Sequence, residues 1–133
     1  MALEHANDVT FTSMIQSGIT LVDFWAPWCG PCRMFGPIFE SVSQEMPDVK
    51  FVKFEIDDTN RTTPTKFGIR SIPSVLAFRA GELVEARTGL MDEETLKSWI
   101  NQGEKEDIIR QALKEAINNK AKIPSKYQAP YFR

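Results

Sequence analysis

The residues of this 133-residue chain best placed to do chemistry are its two cysteines, which stand in one tetrapeptide, Cys29-Gly30-Pro31-Cys32. A disulfide there closes a loop too short to staple a fold, because the gain from cross-linking grows with the logarithm of loop length. The pair is better explained by reactivity. Zinc is the rival chemistry. A structural zinc takes four ligands, usually Cys or His, and the chain offers two Cys and the single His5, far away in sequence. No metal site is expected, and His5 reads as a solvated surface residue. If a helix begins near Pro31, Cys29 sits at its N-terminus, where unpaired N–H groups and the macrodipole favour negative charge. Only a thiolate attacks a disulfide, so this placement raises the reactive fraction of Cys29. Cys32, further into the helix, is shielded yet close enough to resolve a mixed disulfide. Pro31 fixes φ, and Gly30 is expected to avoid a steric cost.

The surrounding elements must hold that tetrapeptide in place. Ile19 to Trp25 (ITLVDFW) is β-branched and aromatic almost throughout, the composition of a strand buried on both faces. Asp23 is the anomaly in it, since an ionisable group among Val22, Phe24 and Trp25 costs several kcal/mol unless neutral or paired. From Cys32 to Met46 the residues Met34, Phe35, Ile38, Phe39, Val42 and Met46 recur at helical spacing, with a kink expected at Pro37. Val49 to Ile56 is a second strand carrying Lys53, followed by a polar stretch and a short helix ending near Phe67-Gly68. Ser74–Arg79 and Leu83–Thr88 flank Ala80-Gly81-Glu82 as an antiparallel hairpin. A first helix is expected over Val9–Gln16, capped by Asn7 or Asp8 and stopped at Gly18, and another from Asp92 through Ile100 with Leu96, Trp99 and Ile100 on one face. Alternating strands and helices imply parallel pairing through crossovers, hence an α/β fold with a central mixed β-sheet flanked by helices. Trp25 reads as core, and Trp28, in a loop beside the thiols, as site.

Sixteen basic against eighteen acidic side chains give a net charge of −2. That balance argues against a nucleic-acid or membrane surface, which needs a basic field. No apolar run approaches the ~20 residues that span a bilayer. The opening MALEHANDVT carries neither a basic n-region nor an apolar h-region, so a cytoplasmic location is expected.

VDFWAPWCGPC, Pro37, KFEID, Ile72-Pro73 and the Gly81 hairpin together resemble the thioredoxin family, over about residues 5–102. The resemblance implies a thioredoxin-like fold and a dithiol-disulfide oxidoreductase that reduces protein disulfides, needs no cofactor beyond its own Cys29–Cys32 disulfide and is kept reduced by a reductase electron donor. By the same resemblance Cys29 is the attacking thiol and Cys32 the resolving one. Asp23 is the buried carboxylate that handles the proton of Cys32, and Lys53 is its lysine partner. Trp28, Gly30, Pro31, Ile72, Pro73 and Gly89 surround the bound substrate, with Pro73 in the cis form. A non-catalytic binding module on the same fold, assembling through its C-terminal extension, is the alternative reading.

Two departures from the family pattern stand out. The segment before the first helix is short, which leaves the family's first strand unassigned. At the other end, residues 103–133 follow a domain expected to occupy 1–102. These 31 residues carry seven basic and four acidic side chains, net +3, against −5 for residues 1–102. From Glu104 to Ala121 the residues Ile108, Ile109, Ala112, Leu113, Ala116 and Ile117 make one apolar stripe, so a helix is expected there, separated from the preceding one by a Gln102-Gly103 linker. The stripe is expected to pack on this chain's own domain or on a second copy. Tyr127, Tyr131 and Phe132 fall in a tail expected to fray.

Overall fold

A computed structural model of the protein describes residues 3–118. Its elements follow the order β1 (Leu3–Ala6), α1 (Phe11–Met14), β2 (Ile19–Trp25), α2 (Gly30–Glu45), β3 (Lys50–Glu55), α3 (Thr62–Lys66), β4 (Ser74–Arg79), β5 (Glu82–Thr88) and α4 (Glu93–Asn118). The five strands form one sheet in the order β1-β3-β2-β4-β5. β1 and β2 both run parallel to β3, whereas β4 is antiparallel to β2 and to β5. The expected mixed α/β sheet is therefore present, with β2 at its centre.

Side chains alternate along β2, so each face of the sheet has its own core. Val22 and Phe24 join Val52, Phe54, Leu76 and Phe78 on one face, covered by Phe11 and Ile15. The Phe11 ring touches those of Phe24, Phe54, Phe67 and Phe78 at centroid distances of 5.4–6.2 Å. Leu21, Asp23 and Trp25 lie on the opposite face, toward α2, where Phe39 meets Phe51 edge-on at 5.1 Å. Phe35, Phe39 and Val42 are fully buried, at the helical spacing read from the sequence. Each such side chain contributes roughly 1.5–3 kcal/mol through burial.

The N-terminal reading needs correction. β1 exists, and it exists because its four residues pair with the edge of β3, a non-local partner that periodicity cannot reveal. The helix expected over Val9–Gln16 is a single turn, Phe11–Met14. Asn7 explains the difference, since its Oδ1 accepts the N–H groups of both Val9 and Thr10 and commits that backbone to a turn. Asp8 does not cap α1 at all. Its carboxylate accepts the N–H groups of Thr62 and Thr63 at 3.0 and 2.8 Å, capping α3 from 54 residues away.

The hairpin turn is tighter than expected. It is the two residues Ala80 and Gly81, both at positive φ, and β5 already begins at Glu82. That geometry suits the right-handed twist of the paired strands.

The C-terminal reading also changes. The chain divides into two compact units, Met1–Leu96 and a second beginning at Lys97. α4 runs unbroken through Gln102-Gly103, so the linker expected there is helical. One glycine costs about 1 kcal/mol inside a helix, and the Glu, Lys, Ala and Leu around it are strong helix formers. Leu96, Trp99 and Ile100 are buried as expected. By contrast Ile108, Ile109, Leu113 and Ile117 are 56–69% exposed, so the packing expected of the stripe is not seen among the described residues. Residues 119–121 of the expected helix, and the tail with Tyr127, Tyr131 and Phe132, lie outside the described residues.

Asp8→Ala is expected to lower stability by about 1 kcal/mol, the usual loss for a helix cap. Thermal unfolding should show a drop of a few degrees, with Asp8→Asn intermediate. An unchanged Tm would show that the long-range cap is energetically idle.

Candidate active site

Cys29 is the N-cap of α2. Its backbone is extended (φ −93°, ψ 113°) and its Sγ accepts the N–H of Cys32 at 3.2 Å. Pro31 stands in the first turn, where its missing N–H leaves no intrahelical bond unmade. Cys29 and Cys32 are joined by a disulfide with their Cα atoms 5.2 Å apart, inside the usual span for such bonds. They are 7% and 2% exposed and pack with Ala26, Trp25 and Ile72. When the bond is reduced, the amide of Cys32 and the positive end of the helix favour a thiolate at Cys29 over one at Cys32.

A second loop faces the sulfur. The Ile72-Pro73 peptide bond is cis, and the Ile72 carbonyl oxygen lies 3.7 Å from Cys29 Sγ. In the reduced protein that distance lets the Cys29 thiol act as a weak donor. Gly89, at φ +100°, donates its N–H to the Pro73 carbonyl at 2.8 Å and ties the end of β5 to this loop. Trp28 is 75% exposed beside the disulfide. Arg33 steadies that loop by donating from Nη1 to the Pro27 carbonyl at 3.0 Å. Cys29, Ile72, Pro73 and Gly89 are thus gathered at one place from three separate segments.

Gly30 does not play the steric part expected of it. A Cβ there would meet nothing within 4 Å, and φ is not in the left-handed region, so the chain itself has room for a side chain.

Behind the disulfide lies Asp23. It is fully buried, and neither carboxyl oxygen has a hydrogen-bond partner. Burial pushes its pKa up to about 7, against the opposing pull of the Lys53 ammonium. Lys53 is Asp23's register partner on β3 and is half-buried. Its Nζ sits 4.3 Å from the centroid of the Trp25 ring. Sequence reasoning assigned Trp25 to the core alone, and missed that Trp25, two residues from Asp23, must share its face. Gly36 was missed as well. It is buried on α2, and a Cβ on it would stand 3.3 Å from Lys53 Nζ. His5 is exposed but lies in register with Lys53, a neighbour no local pattern announces.

Among the described residues no group of three or more His, Cys, Asp or Glu converges on a point, and no helix is long and apolar enough to cross a membrane. A disulfide formed within one turn at a helix N-terminus is suited to thiol–disulfide exchange, and a backbone carbonyl and a buried acid lie around it. Sequence comparison agrees. The thioredoxin family model matches residues 2–102. Thioredoxin of Bacillus subtilis (strain 168) is 43% identical over 102 residues, 76% of this chain and 97% of that protein. Thioredoxin of Haemophilus influenzae is 44% identical over 101 residues, 74% of this chain and 94% of the relative, and that of Rickettsia typhi 40% over 102. The chain belongs to the thioredoxin family and is a dithiol-disulfide oxidoreductase, a protein-disulfide reductase of the thioredoxin type.

The Asp23 shift fixes the sign of a pH dependence. Because the fold raises the pKa from 3.8 to about 7, the native state holds a proton that the unfolded chain releases. The contribution of this group is therefore most favourable below pH 4 and is lost as pH rises to 7, by at most about 4 kcal/mol. Asp23→Asn removes that slope. Urea unfolding of the oxidised proteins should show the stability of the variant relative to the parent rising between pH 4 and pH 8. A difference independent of pH would contradict a buried, titrating Asp23.

Proposed function

We propose that Cys29 carries the reductase reaction as nucleophile and Cys32 as resolving thiol, with Asp23 and Lys53 managing the proton. The Cys29 thiolate attacks one sulfur of a substrate disulfide, and the other substrate sulfur leaves as a thiolate that takes up a proton. Asp23 accepts the proton of Cys32. The Cys32 thiolate then attacks Cys29 Sγ, breaking the mixed disulfide, releasing the second substrate sulfur and leaving Cys29–Cys32 oxidised. The second substrate sulfur leaves as a thiolate and is protonated from solvent. Two electrons from a reductase donor, with two protons, one of them returned by Asp23, restore the dithiol. A carboxyl group titrating near neutrality suits this exchange, because it is neither too weak a base to take the proton nor too weak an acid to give it back.

Substrate enters, on this reading, as an extended segment laid along Ile72-Pro73, with Trp28, Gly30, Pro31 and Gly89 around it. The observation that carries the proposal is the Ile72 carbonyl 3.7 Å from Cys29 Sγ: a backbone acceptor beside the attacking atom. The open space above Gly30 fits close approach of such a segment. A reductase works where a donor keeps it reduced, and on that ground we place the protein in the cytoplasm.

The exposed stripe of α4 favours a second, compatible role. Four large apolar side chains on one helical face are seldom left in water, and a second copy of the chain is the partner proposed here. A purely non-catalytic module assembling through this helix is less well supported, because it leaves the helix-capping disulfide without a task.

In reduction of insulin disulfides, Cys29→Ser should lose activity by at least about 10³-fold, the scale of removing a nucleophile. Cys32→Ser should instead accumulate a mixed disulfide with protein substrates. Equal turnover by Cys29→Ser and the parent would remove the exchange mechanism and return the binding-module reading. For the stripe, sedimentation of the full chain should show a concentration-dependent dimer that Ile109→Ser with Leu113→Ser dissociates at unchanged insulin reduction. A parent that stays monomeric at high concentration excludes the second copy.

A further inference from the structure

The face of the sheet that carries Asp23 gathers several titratable residues in register. His5 of β1 pairs with Lys53 of β3, Lys53 pairs with Asp23 of β2, and Glu55 pairs with Trp25. On β4 the partner of Asp23 is the apolar Val75. From the start of α2 come the Cys29–Cys32 disulfide and, facing Lys53, Gly36. His5 and Glu55 are exposed, so water screens them. Arg87 of β5, in register behind Val75, is exposed as well. Among the described residues Lys53 is therefore the cation left to act on Asp23, and where its ammonium rests decides how strongly.

A half-buried lysine normally lays its stem on apolar surface and lifts its head into water. Here the head stays at two contacts. Nζ is 4.3 Å from the centroid of the Trp25 ring, well within the reach of a cation–π interaction. It also lies close to the backbone of buried Gly36, where a Cβ would stand at 3.3 Å, tight enough that the ammonium would have to give way. An aromatic face thus attracts the charge, and the absence of a side chain leaves room for it.

We propose that Trp25 and Gly36 are positioning residues that hold the Lys53 ammonium beside Asp23, Trp25 by offering its ring and Gly36 by offering no side chain. Both act through Lys53 rather than on the reacting sulfurs. The relevance of this to catalysis rests on the reading that Asp23 handles the Cys32 proton. Holding the cation favours the carboxylate form of Asp23, and releasing it to water leaves desolvation unopposed.

The test follows the Asp23 carboxyl carbon by NMR as pH is varied in the oxidised full-length protein, with His5 and Glu55 resolved by their own resonances. Trp25→Leu should raise the Asp23 midpoint by about half to one pH unit, the scale of losing a nearby opposite charge. Trp25→Phe, which keeps a ring, should restore most of the parent value. Gly36→Ala, with Trp25 intact, should shift the midpoint upward by less. Lys53→Met should also raise it, and Trp25→Leu added to Lys53→Met should then change nothing further. Water entering a loosened core would lower the midpoint, so a downward shift overturns the proposal. So does a midpoint unmoved in both Trp25→Leu and Gly36→Ala, or one that moves as far when Lys53 is already Met. Should Trp25→Leu fail to fold, Gly36→Ala and Trp25→Phe decide. The pH profile of insulin reduction is read separately. If the midpoint moves and the profile does not follow, the positioning stands and the proton role of Asp23 falls.

Discussion

Strand β2 is hydrogen-bonded along both edges and covered on both faces, and the working parts of the protein are laid out from that burial. Such a strand ends abruptly where it leaves the sheet. The chain passes through Ala26 to Trp28 and starts α2 at Gly30, which puts Cys29 at the helix N-terminus beside the end of the sheet. The same burial that makes β2 rigid makes Asp23 expensive to ionise. One strand therefore supplies both the fixed frame for the Cys29–Cys32 pair and the low-dielectric setting of Asp23.

The two sulfurs meet different electrostatics within one helical turn. Cys29 accepts an amide hydrogen bond at the positive end of the helix, so its thiolate is favoured. Cys32 lies deeper, within the helix and only 2% exposed. On the proposed mechanism an asymmetry of this kind orders the exchange, with Cys29 attacking first and Cys32 needing help. On the same reading Asp23, raised to about 7 by burial against the pull of Lys53, is matched to give that help near neutral pH. If Trp25 holds the Lys53 ammonium as proposed, that ring also sets how far burial prevails.

The C-terminal half of α4 follows a different rule. β2 and α2 bury most of their apolar residues in the sheet's cores, whereas Ile108, Ile109, Leu113 and Ile117 are exposed on the part of α4 beyond the family match. Its flanks mix both signs, as in Glu104, Arg110, Lys114 and Glu115. That pattern suits a contact with another protein surface better than a fixed attraction to an acidic or basic one.

Sequence alone determined most of the chemistry here. The Cys29-Gly30-Pro31-Cys32 spacing, the apolar repeat of α2 and the run of β2 are local signals, and they located the redox pair, the helix behind it and the anomalous acid. Asp23 was legible because an acid in an apolar run violates its surroundings whatever the fold. What tertiary structure decided is what lies far apart in the chain. β1 needed the edge of β3, α3 took its cap from Asp8, and His5, Lys53 and Asp23 became neighbours only through strand register. Gly36 could not be read at all, since a missing side chain announces nothing until another residue's charge is found in its place. Periodicity correctly made the face over Ile108–Ile117 apolar but could not say whether it is covered. Coverage depends on another surface being brought to it, and no such surface is written in the helix itself.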